Sequence, residues 1–382
     1  MDLFSSPPPL APPTSEEDRL AWLRLLRSRR VGPTTFYRLM AEHGTAEAAL
    51  AALPEVAAAA GVRSYQPFPH DLAARELAAG KRAGARLIAA GEPHYPTALR
   101  DLPDAPPLLW TQGDLTLLNQ PTLAVIGARN ASSLGRRMAA RLSSELSKAG
   151  HVVASGLARG VDTEAHKAAL EGGTIAVVAG GVDVTYPQEN AALMAQIAEG
   201  GLVVSEEPPG LQPQARHFPK RNRIISGLSR AVVVVEAGAR SGSLITARMA
   251  LDQGREVLAV PGHPFDARAS GCNLLIRDGA TLVRGADDVI EALGPQAAPR
   301  PQSASAPAPA PADLPQPPRR SPASTRALHA RILGLIGPAP VAEDQLARDL
   351  SVPAQRLSEN LLSLELDGQI TRQPGGLIIK TA

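Results

Sequence analysis

The sequence TLAVIGARNASSL, from Thr122 to Leu134, decides the fold of this chain. Its first part, Thr122–Ile126, is apolar and rich in β-branched residues, which is typical of a buried parallel strand. Gly127 ends that strand, and either of the two serines before Leu134 can cap a helix predicted over Leu134–Ala149. A strand, a glycine turn and a capped helix form the opening unit of a doubly wound α/β fold. In such a unit, backbone N–H groups at the helix start face any anion above the carboxyl end of the strand.

The same turn carries Arg129, whose planar guanidinium suits a phosphate. The segment GARNASSLG lacks the glycines of the G-x-G-x-x-G dinucleotide fingerprint, and no Walker lysine is present. The sequence therefore predicts a phosphate-binding turn, and we expect no cofactor.

The composition sets limits on the class of protein. A length of 382 residues gives room for two or three domains, and a net charge of +2 points to no partner by itself. The single cysteine, Cys272, excludes a disulfide framework and is consistent with a reducing cytoplasm. No apolar stretch reaches transmembrane length, and the N-terminal residues do not resemble a signal peptide. We therefore expect a soluble cytoplasmic protein that does not enter a membrane.

The N-terminal part divides into three predicted segments. Residues 1–14 are rich in proline, and we expect them to be disordered. Residues 15–62 predict a small helical domain that resembles a helix-hairpin-helix or sterile-alpha-motif module, and residues 63–86 predict a connector region with a helix. Four arginines near the turn of this module either contact phosphates or form the solvated face of a protein-binding module. They are Arg24, Arg27, Arg29 and Arg30.

Residues 87–292 predict the central domain, because short apolar strands alternate with helices there. The predicted strands are Leu87–Ala89, Thr122–Ile126, His151–Ser155, Thr174–Ala179, Leu202–Ser205, Ala231–Glu236, Glu256–Val260 and Ala280–Val283. This alternation indicates a Rossmann-like, mostly parallel sheet covered on both faces. The proline-rich segment that ends near Trp110 is interpreted as a lead-in without a strand. Ligands of such folds bind at the carboxyl ends of the strands, so we expect the loops there to share one functional rim.

A Pro/Ala linker is predicted over residues 293–324, followed by a winged helix over residues 325–382. The evidence is three helical patterns followed by two short strands joined through Pro374-Gly375-Gly376. From Arg326 onward, basic and acidic residues balance, so the module lacks the positive field that attracts phosphates. We therefore predict an accessory or protein-docking module, or a weak duplex binder that uses Arg372 and Lys380.

Catalytic and metal sites are not indicated. No Cys/His cluster has metal-binding spacing, and no nucleophile elbow is present. Asp162 and His166 lie four residues apart at a helix start, where a structural hydrogen bond is the favoured explanation. Three glutamates at strand ends are either general bases or carboxylates that orient a neighbouring arginine. They are Glu206, Glu207 and Glu236.

A basic segment from Arg216 to Arg230 is the strongest functional signal. It contains five cations, no acidic residue and the aromatic Phe218. The cations are Arg216, Lys220, Arg221, Arg223 and Arg230, and further cations on the same predicted rim are Arg129, Arg159, Lys167 and Arg240. Cations that follow phosphates beside a ring that stacks on a base are suited to single-stranded nucleic acid. The alternative is a solvated face with Phe218 in the core.

Several motifs resemble the DNA-processing protein A (DprA/Smf) family over roughly residues 87–289. They include GARNASSLG, SGLARGVDTEAHKAAL, GGVDVTYPQEN, FPKRNRIISGLS and EAGARSGSLITARMALDQG. The resemblance implies a homodimeric protein that binds single-stranded DNA, protects incoming strands in natural transformation and loads RecA onto DNA coated by single-strand-binding protein. Carried onto this chain, the family's G-S-R turn is Gly127-Ala128-Arg129. The predicted DNA-binding residues are Gly127, Arg129, Arg159, Lys167, Phe218, Lys220, Arg221, Asn222, Arg223, Arg240, Ser241 and Gly242.

The resemblance also implies a dimer interface near the end of the central domain, at Leu274, Leu275 and Ile276. The alternative function is a related Rossmann-like enzyme, a phosphoribohydrolase. Those enzymes carry a PGGxGT loop followed by a catalytic glutamate. The corresponding segment, EAGARSGS, does not have that arrangement, so we expect no enzymatic activity.

Overall fold

The computed structural model describes residues 11–59, 62, 64–294, 322–336, 340–350, 352, 354–373 and 377–380. Three predictions lie wholly or mostly outside these ranges: residues 1–10 of the segment 1–14 that is predicted to be disordered, most of the predicted linker, and the turn at 374–376. None of the described helices is long and apolar enough to cross a membrane.

Four helices come first: α1 (Glu16–Arg27), α2 (Pro33–His43), α3 (Ala46–Ala59) and α4 (His70–Arg82). Ser15 begins α1 through a capping box, because its side chain accepts from the N–H of Asp18 while the Asp18 carboxylate accepts from the N–H of Ser15. Pro33 opens α2, where its fixed φ suits the first helical turn.

The central domain alternates strands and helices as the sequence predicts. Its elements are β1 (Arg86–Ala89), α5 (Thr97–Arg100), β2 (Leu108–Gly113), β3 (Thr122–Ile126), α6 (Ser133–Lys148), β4 (Val152–Ser155), α7 (Val161–Ala169), β5 (Thr174–Val177), α8 (Ala191–Gly200), β6 (Leu202–Ser205), α9 (His217–Leu228), β7 (Ala231–Val234), α10 (Gly242–Asp252), β8 (Glu256–Ala259), α11 (Ser270–Arg277), β9 (Thr281–Leu282) and α12 (Ala286–Leu293). Two short 3₁₀ helices lie at Leu115–Asn119 and Gln188–Asn190.

One sheet joins the nine strands of this domain in the order β1-β2-β6-β5-β4-β3-β7-β8-β9. The strands from β6 to β9 in that order pair in parallel, which confirms the predicted doubly wound, mostly parallel sheet. The central strand β3 is buried over all five residues, and α6 packs on it through Ala139, Leu142 and Leu146. The predicted position of the opening unit is therefore correct.

Strand β2 was not predicted. It pairs antiparallel with both β1 and β6, and Trp110 lies opposite Ser205. The prolines that suggested a loop lie just before Leu108, where a missing N–H does not interrupt the ladder. Trp110 is buried, and its indole N–H donates to Glu76 at 3.1 Å. The apparent lead-in is therefore part of the sheet.

The arginines of the N-terminal helices do not behave as predicted. Arg27 pairs with Glu76 at 2.8 Å and donates to the carbonyl oxygen of Glu206 at 3.2 Å. Arg24 donates to the carbonyl oxygen of Phe68 at 3.2 Å. For these two residues, both the phosphate-contact and the solvated-face interpretations are wrong. Their guanidinium groups instead attach α1 to α4 and to the sheet.

The C-terminal winged helix is confirmed. It contains α13 (Pro322–Leu335), β10 (Val341–Ala342), α14 (Glu343–Leu350), α15 (Ala354–Leu366), β11 (Ile370–Gln373) and β12 (Leu377–Lys380), with strand order β10-β12-β11. Helix α14 begins at Glu343, because Val341–Ala342 pairs with β12. Ile332, Leu346, Leu357 and Leu361 are buried in its core.

The predicted duplex contact through Arg372 stays a prediction, and the surroundings of this residue do not favour it. Its side chain is 14% exposed and faces Glu343 at 2.6 Å and Glu365 at 3.4 Å. Lys380 remains exposed. A guanidinium enclosed by two carboxylates has no free positive field to offer a phosphate.

Candidate nucleic-acid interface

Two adjoining cavities open at the carboxyl ends of the parallel strands. Their volumes are about 780 Å³ and 760 Å³. The predicted residues that line the first cavity are Gly127, Arg129, Phe218, Arg221, Asn222, Ser241 and Gly242. The predicted residues that line the second cavity are Arg129, Arg159, Lys167, Phe218 and Arg221. Loops after β3, β4 and β7 and the start of α9 thus meet at one rim, because parallel strands present their carboxyl ends on the same edge.

Phe218 lies in the wall between the two cavities. The guanidinium carbon of Arg129 is 5.2 Å from its ring centroid, and that of Arg221 is 6.0 Å away. The ring of Tyr186 lies 5.6 Å from it at an interplanar angle of 57°. Phe218 is half-buried at the rim, so the alternative that it belongs to the core is wrong. Two cations and two rings form a platform on which both a phosphate and a base can be bound.

Arg221 is the most unusual cation of the rim. It is 7% exposed, and burial lowers the pKa of its guanidinium to about 10, an effect that Asp162 opposes. Its Nε has no hydrogen-bond partner within the described ranges. The guanidinium lies against Gly156, where any added Cβ would overlap it. A buried, protonated group with an unused donor is costly unless a ligand completes its hydrogen bonds.

Asp162 and His166 hold the loop on which Arg221 rests. The Asp162 carboxylate accepts from the backbone N–H groups of Gly156 at 3.1 Å and Ala158 at 3.4 Å. His166 Nε2 accepts from the N–H of Leu157 at 3.3 Å, and its Nδ1 lies 2.7 Å from the hydroxyl of Thr174. Burial lowers the pKa of His166 to about 3, so the ring is neutral. These hydrogen bonds agree with the predicted structural role of Asp162 and His166.

The start of α6 is already occupied by an anion. Both the backbone N–H and the hydroxyl of Ser132 donate to the Glu236 carboxylate, at 2.9 Å and 2.5 Å. A Cβ at Gly135 would overlap that carboxylate. Our expectation that the helix start receives a phosphate is therefore wrong at this position, because the chain fills it with its own carboxylate. What the turn offers to a ligand is the side chain of Arg129.

Three predicted residues lie away from the cavities. Arg223 is 11% exposed and pairs with both carboxylate oxygens of Glu206 at 2.7 Å. Its guanidinium is therefore bound within the fold, and its role as a DNA contact stays a prediction. Glu206 therefore orients an arginine, as its alternative interpretation proposed. Lys220 and Arg240 are exposed and line neither cavity.

Sequence reasoning missed several residues that line the cavities, namely Tyr186, Asn130, Arg136, Glu189 and Gln212. Tyr186 is 49% exposed and lies in the loop after β5. The sequence signal for Tyr186 was the motif GGVDVTYPQEN, which follows a predicted strand on the same rim.

Two acidic residues reduce the net positive charge of the second cavity. Arg159 pairs with Glu189 at 2.6 Å, and Lys167 lies 3.8 Å from Glu164.

The predicted dimer residues lie at the opposite side of the sheet from β1. Leu274, Leu275 and Ile276 are half-buried on α11. Beside them, β9 is an edge strand, and Leu282 on it is 43% exposed. An exposed apolar edge strand is a surface suited to association. The dimer itself stays a prediction.

Comparison with known proteins gives a consistent result for all three parts of the chain. The family described as DNA recombination-mediator protein A matches residues 86–294. A DprA-like N-terminal HHH domain matches residues 16–79, and a DprA winged helix domain matches residues 316–376.

Individual relatives agree with these matches. Protein Smf of Escherichia coli is 38% identical over 319 residues, which cover 82% of this chain and 82% of that protein. DNA processing protein DprA of Bacillus subtilis is 44% identical over 222 residues, covering 57% of this chain and 75% of the relative.

Two solved structures are similar as well. The X-ray structure of DNA processing protein A from Streptococcus pneumoniae has a TM-score of 0.58 at 34% identity, covering 71% of this chain and 96% of that one. The protein from Helicobacter pylori, whose structure concerns its single-stranded DNA binding mode, has a TM-score of 0.51 at 31% identity and covers 55% and 95%.

Proposed function

Because the chain belongs to the DNA recombination-mediator protein A family, we propose that its rim binds single-stranded DNA without strong sequence preference. The observation that carries this proposal is Arg221, a largely buried cation that lines both cavities beside the Phe218 ring. A phosphate balances the charge of such a group, and a ring accepts the face of any base. The relative from Helicobacter pylori, which binds single-stranded DNA, supports the same ligand.

Different side chains of the cavities bind the phosphate and the base. Arg129 and Arg221 supply charge beside the Phe218 ring. Phe218 and Tyr186 supply ring faces, which do not distinguish one base from another. The strand therefore binds through its backbone and its stacking surfaces, and affinity falls as salt rises.

The physiological role that we propose is mediation of recombination in the cytoplasm. The protein protects incoming single strands in natural transformation and loads RecA onto DNA coated by single-strand-binding protein. The support for this part is the family resemblance of the sequence. Both steps require a site that holds a single strand, and the proposed DNA site at the rim meets this requirement.

The alternative function, a phosphoribohydrolase, is not supported by Glu236, the one carboxylate of the EAGARSGS segment. Glu236 accepts two hydrogen bonds from Ser132 and lines neither cavity. We therefore propose a protein that is not an enzyme. Release of free base from nucleoside monophosphates by the purified chain would establish the alternative instead.

The test of the proposed function is a titration of labelled single-stranded and duplex DNA at several salt concentrations. The single strand should bind more tightly. Arg129→Ala should reduce the slope of log K against log salt by about one unit per lost phosphate contact. Phe218→Ala should weaken binding by about 1–3 kcal/mol without changing that slope. Equal affinity of the parent and both variants for the single strand would refute the proposed site.

We also propose a homodimer through α11 and β9. Leu275→Glu should give monomers in sedimentation while circular dichroism stays native, because a charge on this apolar face opposes association. Leu282→Glu is the companion variant, since that side chain is 43% exposed and its replacement does not disturb the core. A dimer brings two rims onto one strand and raises the avidity. An unchanged association state in both variants would place the interface elsewhere.

A further inference from the structure

Phe265 is a solvent-exposed aromatic side chain. It is 95% exposed and lies in the loop between β8 and α11. The other strongly exposed apolar side chains on this rim are Leu134, Tyr186 and Ile245, which follow β3, β5 and β7. Tyr186 and Ile245 line the first cavity, whereas Phe265 lies beyond it. At 95% exposure, the Phe265 ring is available to contact a ligand that binds at this rim.

The loop that carries Phe265 is well organised. Asn273 bridges its start, accepting from the Gly262 N–H at 3.2 Å and donating to the Gly262 carbonyl oxygen at 3.0 Å. The carbonyl oxygen of His263 accepts from the N–H of Asp266 at 2.9 Å. The His263 ring lies 5.6 Å from the Phe265 ring at an angle of 35°. The backbone therefore presents the Phe265 ring outward in a defined position.

This loop is continuous with the proposed DNA site. The N–H of Ala239 donates to the Ser270 hydroxyl at 3.0 Å, and the N–H of Gly271 donates to the carbonyl oxygen of Ala237 at 2.8 Å. These bonds fix the loop after β8 against the loop after β7, which ends at Ser241 in the wall of the first cavity. Strands β3, β7 and β8 are neighbours, so only two strand spacings, about 10 Å, separate the strand that precedes Arg129 from the strand that precedes Phe265.

Cations accompany this path. Arg240 is exposed on the loop after β7, and the side chain of Arg268, three residues after Phe265, is 47% exposed. Asp266 pairs with Arg268 at 3.2 Å and leaves part of that guanidinium in solvent. A ring accompanied by arginines repeats the composition of the Phe218 platform.

Resting on the proposed function, we propose that Phe265 is a second base-stacking station on the same single strand. The strand leaves the Phe218 cavity, passes Arg240 and stacks a further base on Phe265. This assigns a role to Arg240, which lines neither cavity. It also makes affinity depend on strand length, because a short strand fills the cavity without reaching the second ring.

The test uses the full chain with two oligothymidylates. One has about 2 nucleotides, too few to cover about 10 Å at about 3.4 Å per nucleotide, and the other has about 16, the upper end of single-strand site sizes. Phe265→Ala should weaken binding of the long strand roughly 5- to 150-fold, as for one lost stack, and leave binding of the short strand unchanged. Leu251→Ala is the matched control, because Leu251 is 58% exposed near the end of α10 remote from the rim. It should change neither affinity.

A second measurement uses the tryptophan fluorescence of Phe265→Trp. Trp22 and Trp110 are buried, so the exposed indole at position 265 reports stacking. The long strand should quench its fluorescence, and the short strand should not. Unchanged affinity of Phe265→Ala for the long strand, while Phe218→Ala weakens both, would overturn the second station and leave the proposed function standing. A changed association state without a change in affinity would also overturn it. A parent chain that binds neither strand would refute the proposed function and this inference together.

Discussion

Arg221 on the rim of the sheet and Arg372 in the winged helix are both largely buried, but their surroundings differ. Arg372 faces Glu343 and Glu365, so its charge is balanced within the module. Near Arg221, the carboxylate of Asp162 accepts hydrogen bonds from two backbone N–H groups, and Arg221 lines both cavities of the rim. Burial alone therefore does not identify a binding cation. A guanidinium enclosed by carboxylates stabilises the fold, whereas one that lines a cavity without an ion pair is suited to an external anion.

The same contrast occurs within one helix. Arg221 and Arg223 lie two residues apart on α9 and therefore point in different directions. Arg221 faces the two cavities, and Arg223 faces Glu206 and Asp104. Substitutions of Arg223 and Arg221 therefore distinguish a structural arginine from a ligand-binding one.

The largest effect is expected from Arg223→Ala, on stability. Removing one partner leaves the Glu206 carboxylate, which is 13% exposed, without its cation, so the free energy of unfolding should fall by about 3 kcal/mol. Urea denaturation followed by circular dichroism measures this. The folded fraction should bind single-stranded DNA with the affinity of the parent. Weakened DNA binding with unchanged stability would make Arg223 a DNA contact and break the comparison.

The next effect is expected from Arg221→Gln, on binding. Losing a charged hydrogen bond to phosphate should weaken single-strand binding by about 1.5–3 kcal/mol, or roughly 10- to 150-fold. Fluorescence anisotropy with a labelled oligothymidylate measures the change. Lys220→Ala is the control, because that neighbouring cation is exposed and lines neither cavity. Equal losses in both variants would mean that general charge, and not the buried guanidinium, determines binding.

The smallest effect is expected from deleting residues 322–382, which contain the winged helix. Single-strand affinity should stay within about threefold, because Arg372 is enclosed by carboxylates and the module from Arg326 onward has balanced charge. The same titrations with the truncated chain measure this. A large loss of single-strand affinity would show that the winged helix belongs to the DNA site. Tight duplex binding by the full chain that disappears on deletion would assign duplex binding to the module.

Much of the fold could be predicted because it depends on local patterns. The burial of Thr122–Ile126, the strand–helix alternation and the winged helix follow from hydrophobic period, caps and turns. Strand β2 could not be predicted in the same way, since its pairing partner β6 is about ninety residues away in sequence. The prolines just before this strand are also typical of a loop.

The candidate site was only partly predictable. The amino-acid sequence by itself determined that cations and Phe218 gather on loops after parallel strands, because the doubly wound order places those loops on one rim. It could not determine which of the alternating arginines of α9 faces the cavities, or that Glu236 fills the start of α6. Those outcomes depend on partners from distant strands, such as Glu206 and Ser132, whose positions exist only once the sheet has formed. The tertiary structure decided them, because a charge that leaves water must find its partner wherever packing places one.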